Sequence, residues 1–174
     1  MKAMWLLGAG LLFMTACDSG TKLEKSEAAA IIREVKGYPR AFEYDVNMTD
    51  PESARKLLKA GLEDEGLVTI DRKQKMIDIG KPLVHFTERA KPYLIRIDPK
   101  YDNVQVVKVA DTDLDEITGI QIQEDNKKAI VEYTVVYKNV NPFSKLVDVD
   151  FSKPDTKRAT LLLFDTGWKF EKAL

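Results

Sequence analysis

The sequence has very little cysteine and histidine, with one residue of each among 174. One cysteine cannot form an intramolecular disulfide, and it excludes a zinc site built on several thiolates. One histidine excludes a metal centre that needs several imidazole ligands from one chain. Excess charge is also missing, because 27 basic and 28 acidic side chains give a net charge of -1. A chain so close to neutral lacks the general attraction to phosphate on which nucleic-acid binding depends, so we expect no nucleic-acid partner.

The longest apolar run lies at the amino terminus, from Ala3 to Ala16, and Lys2 precedes it. A transmembrane helix needs about 20 apolar residues, so this run is too short to span a bilayer. A positive charge followed by about 7–15 apolar residues is typical of a secretory signal peptide. The sequence therefore predicts a signal peptide over residues 1–16 and an exported body after it.

The end of this segment reads Met14-Thr15-Ala16-Cys17 and resembles the lipobox of bacterial membrane lipoproteins. Thr15, Ala16 and Cys17 match the pattern, and Met14 stands where leucine is usual. The resemblance implies cleavage before Cys17 and a lipid with palmitate-type acyl chains on its thiol. Two or three acyl chains give durable membrane anchoring, whereas one chain does not. Residues 17–22 would then be a short polar tether that holds the body on the periplasmic or extracellular side of a membrane.

The first part of the body, residues 23–98, alternates helix and strand signals. An alanine-rich amphipathic pattern predicts a helix over 23–36, and period-two alternation predicts a strand over 41–48. A capping box from Thr49 to Glu52 predicts a second helix that ends at Gly66. The segments 67–70 and 76–79, joined by a charged turn, predict a short hairpin. The second helix, this hairpin and Phe86-Thr87-Glu88 together resemble the end of a winged-helix domain, which implies a similar architecture and no DNA binding.

The second part, residues 99–174, consists mainly of strand signals. Strands are predicted over 104–109, 117–123, 129–138, 160–164 and 168–170. The acidic segment 111–116 is interpreted as a turn between the first two of them. The fold class predicted for the body is α+β, with helices and a short hairpin first and a mainly antiparallel sheet after them. The two parts are expected to share one core.

Motifs that would carry catalysis or bind a metal are missing. Residues 111–116 resemble the start of an EF-hand, but Glu116 and Ile122 stand where the loop needs glycine and glutamate. His85 lies in a predicted strand without a recognisable nucleophile or acid beside it, so a structural role is favoured. We expect no catalytic residue, no cofactor and no metal.

The aromatic residues of the predicted sheet leave two interpretations open. Tyr133, Tyr137 and Trp168 could line a ligand pocket on one face of the sheet. Packing in the core is the alternative, because aromatic residues at strand periodicity are commonly buried. The main functional hypothesis is a lipid-anchored, non-enzymatic cell-envelope protein that binds another protein or supports an assembly. The second hypothesis is a carrier or sensor of a small ligand in the aromatic pocket.

Overall fold

The computed structural model describes residues 22–73, 77, 79–123 and 126–171. The predicted signal peptide, Cys17 and all of the tether except Lys22 lie outside these residues. Within the described ranges, no helix is both long and apolar enough to cross a membrane.

The larger of the two sheets is antiparallel and has six strands, and the second sheet has two strands. The six-stranded sheet has the order β1-β5-β6-β7-β8, and β4 also pairs with β5. Its strands are β1 (Arg40–Asn47), β4 (Leu94–Ile97), β5 (Val104–Ile122), β6 (Lys128–Lys138), β7 (Asp155–Phe164) and β8 (Gly167–Phe170). The short sheet pairs β2 (Val68–Ile70) with β3 (Val84–Phe86). The prediction of a mainly antiparallel sheet is confirmed.

Two α-helices precede and follow β1. Helix α1 spans Lys25–Lys36 and stops at Gly37, whose φ of 68° is readily adopted by glycine. Helix α2 spans Pro51–Lys59, and its N-cap residue is Asp50. The carboxylate of Asp50 accepts hydrogen bonds from the backbone N–H groups of Glu52 and Ser53. The predicted capping box at Thr49 is therefore wrong, because a carboxylate satisfies two of the free N–H groups at once. Two 3-10 helices span Glu88–Tyr93 and Pro142–Leu146.

Strand β5 runs without interruption through the acidic segment that was predicted as a turn. Two of the acidic side chains form ion pairs. Asp111 lies 2.6 Å from Lys108 of the same strand, and Asp113 lies 3.2 Å from Lys138 of β6. Thr112 and Leu114, which alternate with them, are buried. Alternation of paired carboxylates with buried side chains makes this segment a strand with one polar face.

The short hairpin predicted from 67–70 and 76–79 falls partly outside the described residues. Among the described residues, β2 pairs with β3, so that Thr69 lies opposite His85. Residues 74–76 and 78 lie outside the described residues. Val68 and Val84 are fully buried, and this burial of apolar area stabilises the pair of strands.

The apolar core consists of two clusters on one face of the curled sheet. The first cluster lies under α1, and the second lies under α2 and the β2–β3 pair. In β5, Val107 belongs to the second cluster and Leu114 to the first. Residues of a strand that are separated by an odd number of positions, as these two are, normally point to opposite faces. Phe42 pairs with Ala110 and Glu43 with Lys108, so Val109 is an extra residue, as in a β-bulge. This bulge brings Val107 and Leu114 onto the same face of the sheet.

Candidate functional site

A groove of about 450 Å³ lies on this face, where the two clusters meet. The residues that line it are Tyr38, Arg40, Ala41, Phe42, Glu43, Thr112, Val135, Tyr137 and Lys157. They come from the turn after α1 and from strands β1, β5, β6 and β7. A pocket of about 300–1,000 Å³ is the usual size for a small-molecule site, and it also holds a few side chains of a peptide.

The sheet register forms the floor of the groove. Arg40 lies opposite Thr112, and Thr112 lies opposite Tyr137 on the next strand. Lys157 on β7 lies opposite Tyr133 on β6. The groove therefore crosses the strands, with Arg40 near the edge strand β1 and Lys157 at the other end.

Two aromatic rings, Phe42 and Tyr137, form one wall of the groove, and Phe151 contacts both of them. Tyr137 contacts Phe151 with ring centroids 5.0 Å apart and Phe42 with centroids 5.9 Å apart, and Phe42 contacts Phe151 at 5.6 Å. All three pairs are edge-to-face, the arrangement that aromatic quadrupoles favour. Tyr137 packs against the first cluster, whereas Phe42 and Phe151 pack against the second. The wall is thus held from both sides.

Three tyrosine hydroxyls lie around the floor. Burial raises the pKa of Tyr133 to about 12, and a hydrogen bond with Tyr38 acts in the same direction. The hydroxyl of Tyr137 donates to Oδ2 of Asp155 over 3.4 Å. Burial and the nearby Asp155 carboxylate raise the pKa of Tyr137. Tyr133 and Tyr137 are therefore neutral hydrogen-bonding groups at physiological pH.

The charged side chains of the groove are paired with one exception. Glu43 accepts bonds from both terminal nitrogens of Arg96, at 2.9 and 2.7 Å, which lowers the pKa of Glu43. Lys157 contacts the carboxylate of Asp155, which raises the pKa of Lys157. Arg40 has its guanidinium carbon 5.6 Å from the centroid of the Tyr38 ring. Among the charged lining residues, only Arg40 has no carboxylate of the described residues within 4 Å.

The structure separates the three residues predicted to form a pocket. Tyr137 lines the groove, whereas Tyr133 and Trp168 are 2% and 7% exposed and belong to the first cluster. Tyr133 does not line the groove. Sequence analysis missed Tyr38, Arg40 and Lys157 as site residues. The one local signal near them is the Pro39 turn before an aromatic strand, and it does not indicate binding.

His85 lies away from this groove on the short sheet. Its Nε2 is 3.2 Å from Oδ2 of Asp71, and about half of each side chain is exposed. Within the part of the chain that the structure describes, no three histidine, cysteine or acidic residues gather as metal ligands.

Comparison of the chain with protein-family models, with curated protein sequences and with solved structures gave no match.

Proposed function

We propose that the chain is an exported, lipid-anchored protein of the cell envelope whose body binds another protein without catalysing a reaction. The lipobox-like residues up to Cys17 support the anchoring, and the groove supports the binding. The observation on which the binding proposal rests is the aromatic wall with the guanidinium of Arg40 beside it, which has no carboxylate of the described residues within 4 Å. Aromatic residues and arginine are the side chains most enriched at the centres of protein–protein interfaces.

The chemistry of the groove suits binding of a preformed partner surface. Phe42, Tyr137 and Phe151 hold one another in edge-to-face contacts, so little side-chain freedom is left to lose. The carboxylates of Glu43 and Asp155 already have partners, so they need no rearrangement when a ligand enters. A preorganised surface whose carboxylates are already paired gives affinity at a low entropic cost.

The anchoring is tested by changing Cys17→Ser and following processing by mass spectrometry and detergent-phase partition. We expect the variant to keep residues 1–16 and to lack acyl chains, because the thiol is the group that would be modified. Met14→Leu is the matched control, since it completes the usual lipobox and should be processed like the natural sequence. A Cys17→Ser protein that is still cleaved and acylated would disprove the anchor.

The binding is tested by placing a photo-crosslinking amino acid at position 157 or 158 in cells that produce the full chain. Lys157 lines the groove, whereas Arg158 lies on the opposite face and contacts Glu132 at 3.0 Å. We expect a discrete adduct from position 157 and none from position 158. Equal adducts at both positions, or none at position 157, would contradict protein binding in the groove.

A small-ligand carrier or sensor is the second candidate, and the groove volume of about 450 Å³ favours it. Native mass spectrometry of the protein, purified in mild detergent, separates the two candidates. A stoichiometric small molecule that leaves on unfolding would support the carrier and oppose the protein-binding function.

A further inference from the structure

We infer that the segment of the partner that fills the groove carries a carboxylate, which Arg40 binds, next to an apolar side chain on the aromatic wall. This inference rests on the proposed function and adds the chemistry of the ligand to it. The occupant is an acidic, partly apolar segment of another protein.

The charge balance of the groove supports an anionic group at Arg40. The groove is lined by two cations and one anion, and Asp155 neutralises Lys157 while Arg96 neutralises Glu43. Arg40 has no carboxylate of the described residues within 4 Å, and it attracts Glu43 only at longer range, where it helps to lower the pKa of Glu43. The charged lining residues and their ion-pair partners therefore sum to one net positive charge. A guanidinium presents a rigid fork of N–H donors that fits the two oxygens of a carboxylate. The ring of Tyr38 at 5.6 Å restricts the orientation of that fork and attracts the cation.

The spacing along β1 supports an apolar group beside the carboxylate. Arg40 and Phe42 alternate on the same face of this strand, so they lie about 7 Å apart. Two side chains at positions i and i+2 of an extended peptide have the same separation. An acidic residue two positions before an aromatic or branched residue therefore matches Arg40 and the wall formed by Phe42 and Tyr137.

The position of β1 favours a segment of a protein over a free acid. β1 is the terminal strand of the six-stranded sheet, and four consecutive residues, 40–43, line the groove. Consecutive residues of a strand point to opposite faces, so the groove reaches the edge of the strand. A ligand there can continue into a larger body outside the groove.

The experiment uses the lipid-anchored protein in detergent micelles and two peptides, acetyl-Asp-Ala-Phe-amide and acetyl-Asn-Ala-Phe-amide. Binding is followed by chemical-shift changes of backbone amides in β1, β5 and β6. A charge-assisted hydrogen-bonded pair contributes enough that we expect the asparagine peptide to bind about 10- to 100-fold more weakly. Arg40→Gln should abolish the difference between the peptides, and Arg40→Lys should restore only part of it. Arg158→Gln is the matched control and should bind both peptides like the natural protein.

Three results would overturn the inference. These results are equal binding of the two peptides, no chemical-shift change of the groove residues with either peptide, or tighter binding of free phenylacetate in the groove than of the aspartate peptide. The cross-linking experiment separates this inference from the proposed function. An adduct at position 157 that persists in Arg40→Gln means that a protein binds there without the carboxylate contact. If the adduct is lost in Arg40→Gln but not in Arg158→Gln, the result supports both the proposed protein binding and the carboxylate contact with Arg40.

Discussion

Helix α1 lies over the first cluster, and Ile32→Ala tests how much its contact with the sheet stabilises the protein. Ile32 is fully buried, with an exposed fraction of 0%. The neighbouring residue, Arg33, ties the helix to the sheet, because its Nη2 donates to the backbone oxygen of Leu114 over 2.7 Å. The substitution removes apolar contact but leaves this hydrogen bond in place.

The expected loss follows from the buried carbon atoms. At about 0.8 kcal/mol for each methylene-sized group, the loss of three such groups lowers the free energy of unfolding by about 2.4 kcal/mol. The cavity that remains adds to this, so the total should be about 2–5 kcal/mol. That is a large part of the roughly 5–15 kcal/mol that stabilises an average domain.

Urea unfolding followed by tryptophan fluorescence measures the effect. In the proposed mature protein, which begins at Cys17, Trp168 is the only tryptophan, and it lies in the same cluster as Ile32. Its indole is buried, and its Nε1 has no hydrogen-bond partner among the described residues, so its emission should shift to longer wavelength on unfolding. With an m-value of about 2 kcal/mol per M, the midpoint should fall by about 1–2.5 M.

Val35→Ala provides the control on the same helix, because Val35 is 46% exposed and should change the midpoint little. A midpoint for Ile32→Ala that equals the midpoint for Val35→Ala would refute the packing of α1 on the sheet.

Two further predictions concern titratable groups. Asp50→Ala should destabilise the protein by about 1 kcal/mol at neutral pH, whereas Asp50→Asn should keep most of the helix cap. The N–H groups of Ser53 and Glu52 lower the pKa of Asp50, so its contribution is present above the unfolded-state pKa and disappears as the pH falls through the folded one. Urea titrations at neutral and acidic pH measure this, and a pH-independent difference in stability between the natural protein and Asp50→Asn would contradict it. The pKa of Tyr133 is raised from 10.0 to about 12, so its contribution is present below pH 10 and disappears as the pH rises to about 12. Tyr133→Phe should lack this decline, and an ultraviolet phenolate titration in which all tyrosines of the folded protein ionise near pH 10 would oppose it.

Local patterns were enough to predict the late strands. The alternation of Ala129, Val131, Tyr133 and Val135 predicted one buried face of β6, and all four are buried in the first cluster. This works because a period of two residues is a property of a single strand and needs no knowledge of its neighbours.

The continuity of β5 could not be predicted in the same way. Asp111 and Asp113 are typical of a turn when they are considered alone. They remain in a strand because Lys138 and Asn139, more than 20 residues later, bind their carboxylates at 3.2 and 2.8 Å. The pairing of β2 with β3 likewise depends on burial of both strands in the second cluster. Contacts between distant segments decided both cases.

Of the residues that line the groove, only Tyr137 was predicted as a site residue, because the groove also depends on contacts between distant segments. Its residues come from four strands, and the register between those strands brings Arg40 beside Thr112 and Tyr137. Arg40 has no carboxylate of the described residues within 4 Å, and this depends on how the assembled strands pair the acidic residues near it with other cations. No sequence pattern contains it.

The length of β5 has a consequence for how occupancy of the groove acts on the protein as a whole. Thr112, on the groove floor, lies near the middle of the 19 residues of this strand, and the two clusters pack on either side of it. A ligand that binds the native state at this point adds a free energy of RT ln(1 + [L]/Kd) to unfolding. Because both clusters pack on this strand, they should unfold together. Saturation of the groove with ligand should therefore raise a single melting temperature that describes both clusters.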